Sequence, residues 1–135
     1  MLYFDFKHIG VVVPSIERAA ASYRDIFGYR ILSGPVEDPI QKVTVCFLAT
    51  EQGDDAALEL VSPLGEDSPV SKFLANGAGA YHMCYEVLHM ENAIMHVRSK
   101  GCLVISNPVP AVAFGGRRIA WFYTPTRQLI ELVER

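Results

Sequence analysis

Residues 7–13 read KHIGVVV, with Ile9, Val11 and Val13 on one side of an extended chain and His8 on the other. Residues 81–87, YHMCYEV, repeat the pattern. Met83, Tyr85 and Val87 share a side and His82 lies opposite. Both runs predict strands, and each is followed by a helical period. Ile16, Ala19, Ala20, Tyr23, Ile26 and Phe27 form one stripe, with Ser15 as N-cap and Gly28 as the stop. Met90, Ala93, Ile94 and Val97 form a second stripe, stopped by Gly101. Further on, VTVCFLA (43–49) and RIAWFYT (118–124) read as strands. They lead into ALELVSP and LIELVER, in which Glu59 and Glu131 each stand between apolar neighbours.

The chain thus repeats itself. His8 matches His82 and Glu59 matches Glu131, the histidine lying 51 positions before the glutamate in the first copy and 49 in the second. The expected fold class is α+β, two tandem βαβββ modules. Module one covers about residues 5–62 and module two about residues 81–135. Between them, PLGEDSPVSKFLANGAGA (63–80) is a linker with a short helix beginning near Ser68 and Pro69. Neither half is long enough to close a core comfortably alone, so residues 1–135 are read as one domain.

The alternation places one imidazole and one carboxylate of each module on the side away from its helix. If the modules pack about a pseudo-two-fold axis, His8, Glu59, His82 and Glu131 converge. Two imidazoles and two carboxylates suit a divalent metal with open coordination positions. The plainer alternative is a surface histidine at each strand end and a solvated glutamate. Recurrence of both residues inside apolar strands favours the metal, because facing carboxylates repel unless a cation lies between them.

Composition narrows the rest. Half of the 135 residues are hydrophobic and the formal net charge is -3, which argues against a nucleic-acid or membrane-surface partner. Cys46, Cys84 and Cys102 are odd in number, widely spaced and set in apolar stretches. Buried, reduced thiols and a cytoplasmic location are expected. No run approaches the ~20 apolar residues of a membrane span.

The stretches HIGVVVPSIERAAASYRDIFGY, LELVSPLGEDSPVSKFL, YHMCYEV and GGRRIAWFYTPTRQLIELVE resemble the vicinal oxygen chelate superfamily, which includes glyoxalase I, extradiol dioxygenases and bleomycin-resistance proteins. Within it they are most similar to the methylmalonyl-CoA epimerases. The resemblance implies an eight-stranded, U-shaped mixed sheet around a central cup, and a homodimer. It also implies a divalent ion (Co, Ni, Mn, Zn or Mg) held by His8, Glu59, His82 and Glu131, with Glu131 as ligand or catalytic base. The implied activity is a metal-dependent isomerase or lyase that stabilises an enolate of a small acyl thioester or α-oxo substrate. A non-catalytic binding or resistance protein using the same cup is the alternative.

One stretch departs from the epimerase pattern. Where the epimerases carry a glutamate in a sequence like PEQGV, this chain reads PIQKV (39–43), with Ile40 at the position of the base. Gln41 and Tyr81 are candidates for orienting a substrate. In PAVAFGGRR (110–118), Arg117 or Arg118 either meets an anionic group or is solvated on a surface turn. His89 and His96 are expected to be exposed, and Glu86 to be solvated or paired. Either Trp121 or Phe122 must face the cup.

Overall fold

The computed structural model of the protein describes residues 3–77 and 79–135. The elements run β1 (Phe4–Val12), α1 (Ile16–Phe27), β2 (Arg30–Asp38), β3 (Val43–Ala49), β4 (Ala56–Pro63), α2 (Ser71–Ala75) and β5 (Gly79–Val87). They continue with α3 (Met90–Ser99), β6 (Leu103–Val104), β7 (Val109–Pro110), a single 3-10 turn (Val112–Phe114), β8 (Arg118–Tyr123) and β9 (Leu129–Glu134). The fold is α+β. The chain divides into two compact units. One is His8–Tyr81; the other joins Lys7 and the residues before it to His82–Arg135.

In the His8–Tyr81 unit the strand order is β2-β3-β4-β1. Neighbours are antiparallel except for β4 and β1, which run parallel. The parallel pair needs a crossover, and α1 is part of it. The helix begins where Ser15 Oγ accepts the Arg18 N–H at 3.2 Å. It ends at Gly28, whose φ of 76° suits a residue without a Cβ. Ile16 and Ala20 pack on Val13, Cys46, Leu48 and Leu60. The apolar stripe is shorter than its sequence suggests. Ile26 and Phe27, in the last turn, are 69% and 60% exposed, and Ile9 also faces out at 37%. Phe27 packs beside Tyr23 and Tyr29 instead, with ring centroids 5.8 and 6.2 Å away.

The second unit has the order β5-β9-β8-β6, with β7 also on β8. Here β5 and β9 are the parallel pair, joined through α3. Met90, Ala93, Ile94 and Val97 are all buried against Val87, Ala120, Phe122, Ile130 and Leu132, and Phe4 packs on the same cluster. The first turn of α3 has no side-chain cap of its own. Glu134 supplies one from β9, its Oε2 accepting the Met90 N–H at 3.0 Å. Gly101, at φ 87°, follows the helix.

Each unit repeats the other in its outer strand as well. Ser33-Gly34-Pro35-Val36 in one corresponds to Ser106-Asn107-Pro108-Val109 in the other. Proline has no N–H to give to a ladder, so pairing lapses there. In β2 the lapse is a register shift between Ser33 and Val36. In the second unit it separates β6 from β7, so the outer strand of module two is two short pieces where one strand is expected. Gly34 is required by space as well as by its φ of 92°, since a Cβ there would lie 2.8 Å from the Val45 carbonyl oxygen.

The linker helix starts at Ser71, three residues after the expected point, and buried Ser68 accepts the Val70 N–H ahead of it. None of the three cysteines is in a disulfide, and Cys46 and Cys84 are buried while Cys102 is half-buried. Burial pushes the Cys46 thiol up from its ordinary value. No helix among the described residues is long and apolar enough to cross a membrane.

Candidate metal centre

In the first unit, β1 and β4 lie in parallel register with Gly10 opposite Glu59. His8 is two residues before Gly10, so its side chain emerges on the same face as that of Glu59, one pleat away. His8 Nε2 lies 3.6 Å from Glu59 Oε1. In the second unit, Cys84 stands opposite Glu131 in the β5–β9 pair. His82 is again two residues earlier, and its Nε2 lies 3.3 Å from Glu131 Oε1. One register rule therefore builds both pairs. All four residues are buried, none more than 4% exposed.

Burying a carboxylate and an imidazole at such depth is costly unless charge is compensated. Both separations exceed the ~2.9–3.0 Å of an ordinary N–H···O bond. Two donors each ~2.1 Å from one ion stand ~3.0–3.5 Å apart at right to tetrahedral angles. The His82–Glu131 pair falls inside that span and the His8–Glu59 pair just beyond it. Neutral imidazole and carboxylate are donors that first-row divalent ions accept. The residues present therefore fit a divalent metal.

Each pair has a third member: of Trp121 and Phe122, one of which was expected to face the cup, it is Trp121, and its counterpart Phe47 was not singled out from the sequence. Phe47 on β3 stands opposite Glu59, and Trp121 on β8 stands opposite Glu131. Each ring lies edge-on to the histidine of its own unit, with centroids 5.2 Å apart for His8–Phe47 and 4.9 Å for His82–Trp121. Aligning 43–49 with 118–124 end to end sets Phe47 against Phe122. The register sets it against Trp121, while Phe122 turns to the α3 side. The signal was in the spacing: His8 to Phe47 and His82 to Trp121 are both 39 positions. The net two-position difference in the histidine-to-glutamate interval falls after the ring, 12 positions to Glu59 against 10 to Glu131.

The remaining candidates are placed as follows. Arg118 is on the helix side of β8, the side opposite Trp121, bonded to Glu134 and Glu91 at 2.9–3.0 Å. These hydrogen bonds hold the Glu134 carboxyl below the usual range, Arg118 being the chief cause. Arg117 Nη1 meets Glu86 at 3.0 Å, and Arg135 takes the other oxygen of Glu86 at 2.9 Å. Glu86 lies on the His82 face of β5, buried and paired. Burial alone would raise its carboxyl, but Arg135 and Arg117 hold it below the ordinary value. Gln41 and Ile40 sit in the turn between β2 and β3, and both of their amides donate to Oδ1 of buried Asp38 at 3.0 Å. Ile40 is 55% exposed. Tyr81 is half-buried with its ring 5.2 Å from that of Phe73. His89 is exposed; His96 is half-buried, 5.9 Å from the Phe4 ring.

A βαβββ unit built twice, each copy burying one histidine and one glutamate at the same register, defines the class: an α+β fold of two like units, each with a candidate metal-ligating pair. The family model of the Glyoxalase/Bleomycin resistance protein/Dioxygenase superfamily matches residues 7–121. The chain belongs to that superfamily. The ethylmalonyl-CoA/methylmalonyl-CoA epimerase of Cereibacter sphaeroides is 31% identical over 119 residues, covering 87% of this chain and 86% of that protein. The crystal structure of a hypothetical protein from Bacillus halodurans C-125 superposes with a TM-score of 0.84 at 31% identity, covering 98% of this chain and 94% of the other. A single-site variant of the Streptomyces coelicolor methylmalonyl-CoA epimerase, in complex with 2-nitronate-propionyl-CoA, superposes with a TM-score of 0.81 at 28% identity, covering 98% and 95%.

Proposed function

We propose that the chain is a divalent-metal-dependent, epimerase-like isomerase acting on a small acyl-CoA thioester of the methylmalonyl-CoA kind. In this reading His8 and Glu59 from one unit and His82 and Glu131 from the other are ligands of one ion. The carrying observation is the buried His–Glu pair set by the same parallel register in both units. The similarity to an ethylmalonyl-CoA/methylmalonyl-CoA epimerase supports the substrate class. The ion, drawn from Co, Ni, Mn, Zn or Mg, would act as a Lewis acid on the thioester carbonyl and acidify the neighbouring C–H.

The chain's own part is to hold the ion, exclude water and move the proton. Phe47 and Trp121 supply apolar walls beside the two histidines. Glu131 is the ligand that also serves as the base toward one face of the acidic carbon. Gln41, Tyr81 and Arg117 are assigned to the substrate's polar groups. Arg118 is assigned a structural role, because both glutamates on the helix side engage it. The functional unit is proposed to be a homodimer, because outer strand β2 leaves Ile31 and Leu32 exposed at 54% and 40%.

A second reading, a binding protein without chemistry, is favoured by Ile40, which offers no proton acceptor where the epimerases carry a base. The two readings separate in one experiment. Protein purified without chelator is analysed for metal and then incubated in D2O with a panel of acyl-CoA thioesters. One divalent ion per chain with deuterium uptake at C2 supports the isomerase. Tight ligand binding with no uptake on any thioester overturns it.

A further inference from the structure

The matched rings beside the two histidines have no part in the proton chemistry above, and their placement calls for one. We propose that Trp121 and Phe47 are positioning residues, each fixing the imidazole plane of the ligating histidine in its own unit so that Nε2 is presented beside the carboxylate. The inference rests on the metal-centre reading and adds to it the groups that aim the donors.

Three observations carry it. Each ring stands directly opposite the glutamate of its pair, Phe47 against Glu59 and Trp121 against Glu131. Each meets its histidine edge-to-face, at interplanar angles of 73° and 85°. An imidazole has a broad, two-fold torsion about its last bond, so an aromatic edge against it removes orientations that burial alone would permit. Finally, the backbone that carries each ring is held by the outer strand. The Trp121 backbone N–H donates to Ser106 Oγ at 2.9 Å, and the Trp121 carbonyl accepts from the Ile105 N–H. In the other unit Phe47 pairs with Ser33. Ring, glutamate and histidine thus stand side by side on successive strands twice, each ring next to a serine of the outer segment, Ser33 in β2 and Ser106 between β6 and β7. General packing needs an apolar group at these points but not one copied at 39 positions from the histidine in both halves.

Removing a group that orients a metal ligand costs ~10–100-fold in metal affinity. The test uses the whole chain with Co2+ as the probe, followed by its visible absorption and by titration. Trp121→Ala and Phe47→Ala should weaken Co2+ binding at least ~10-fold and alter the absorption band. Trp121→Phe, which keeps a ring, should restore most of both. Trp121 is the chain's one tryptophan, so its fluorescence should also be quenched stoichiometrically by Co2+ in the unaltered protein. A folded Trp121→Ala variant with unchanged affinity and spectrum overturns the proposal.

If the unaltered protein takes up no Co2+, the metal reading fails and the positioning claim is decided on metal-free protein. The His82 ring resonances should then show one fixed orientation, by their nuclear Overhauser contacts, in the unaltered chain and in Trp121→Phe, and averaging between orientations in Trp121→Ala. Identical spectra in all three overturn it. Should Trp121→Ala not fold, Trp121→Leu and Phe47→Ala answer the same question, with a ring-dependent loss expected and its absence overturning the claim.

Discussion

Ile40→Glu tests the substrate chemistry most directly. The residue is 55% exposed, so only about half of the ~1.5–3 kcal/mol that full burial of isoleucine yields is at stake, about 1 kcal/mol. The turn should survive, because Asp38 grips it through the amides of residues 40 and 41 and glutamate keeps that N–H. A new carboxylate near Glu37 and Asp38 adds repulsion of ~1 kcal/mol for a pair at about 4 Å in water. Against this stands general-base catalysis on the second face of the acidic carbon. It is worth ~10²–10⁴ in rate, or about 2.7–5.4 kcal/mol of barrier. A stability loss of this size leaves a domain of typical stability folded, so the rate effect should be visible in full. The assay incubates one stereoisomer of methylmalonyl-CoA with metal-loaded protein in D2O and follows label uptake and inversion separately. The unaltered chain should exchange the C2 proton faster than it inverts the centre, and Ile40→Glu should raise inversion toward the exchange rate. Inversion as fast as exchange in the unaltered protein would refute the reasoning and show that another group on this turn serves the second face.

Four further outcomes are expected. His82→Ala and Glu131→Gln should each abolish stoichiometric metal binding, read by elemental analysis after gel filtration, while the fold is retained by circular dichroism. Glu134→Gln should be less stable than the unaltered protein at neutral pH, because Arg118 depresses the folded-state pKa of Glu134. That contribution is present above the unfolded value of ~4.3 and is lost as pH falls through the folded one, so urea midpoints of the two proteins should converge in acid. Met90→Ala, at the fully buried first residue of α3, should cost ~2–5 kcal/mol by urea unfolding. Light scattering at micromolar concentration should give a dimer mass, and a monomer mass would count against the exposed β2 edge as an interface.

Much of this was legible in the chain because the features are local and periodic. Ser15 and Gly28 mark the ends of α1, and the Met90 stripe is buried as its period demands. The side of each strand carrying His8 and His82 follows from alternation alone. What escaped depends on register between strands far apart in sequence. The sequence left open whether Trp121 or Phe122 faces the cup, because a shift of one residue in a strand changes the face. Ile26 and Phe27 keep the helical period, yet a period does not say how far along a helix its neighbours extend. The Ser-X-Pro interruption was visible twice in the outer strands, but it shows as a break only once hydrogen bonds are counted.

The conserved 39-position interval from histidine to ring, followed by intervals of 12 and 10, says where this architecture tolerates insertions and deletions. A one-residue insertion within β4 or β9 would turn Glu59 or Glu131 into the apolar layer beneath its helix. The turn before each of those strands lies outside the register that aims the donors, and it differs in length between the copies, 50–55 against 124–128. It is the natural place to graft a loop, a tag or a binding peptide without disturbing either pair.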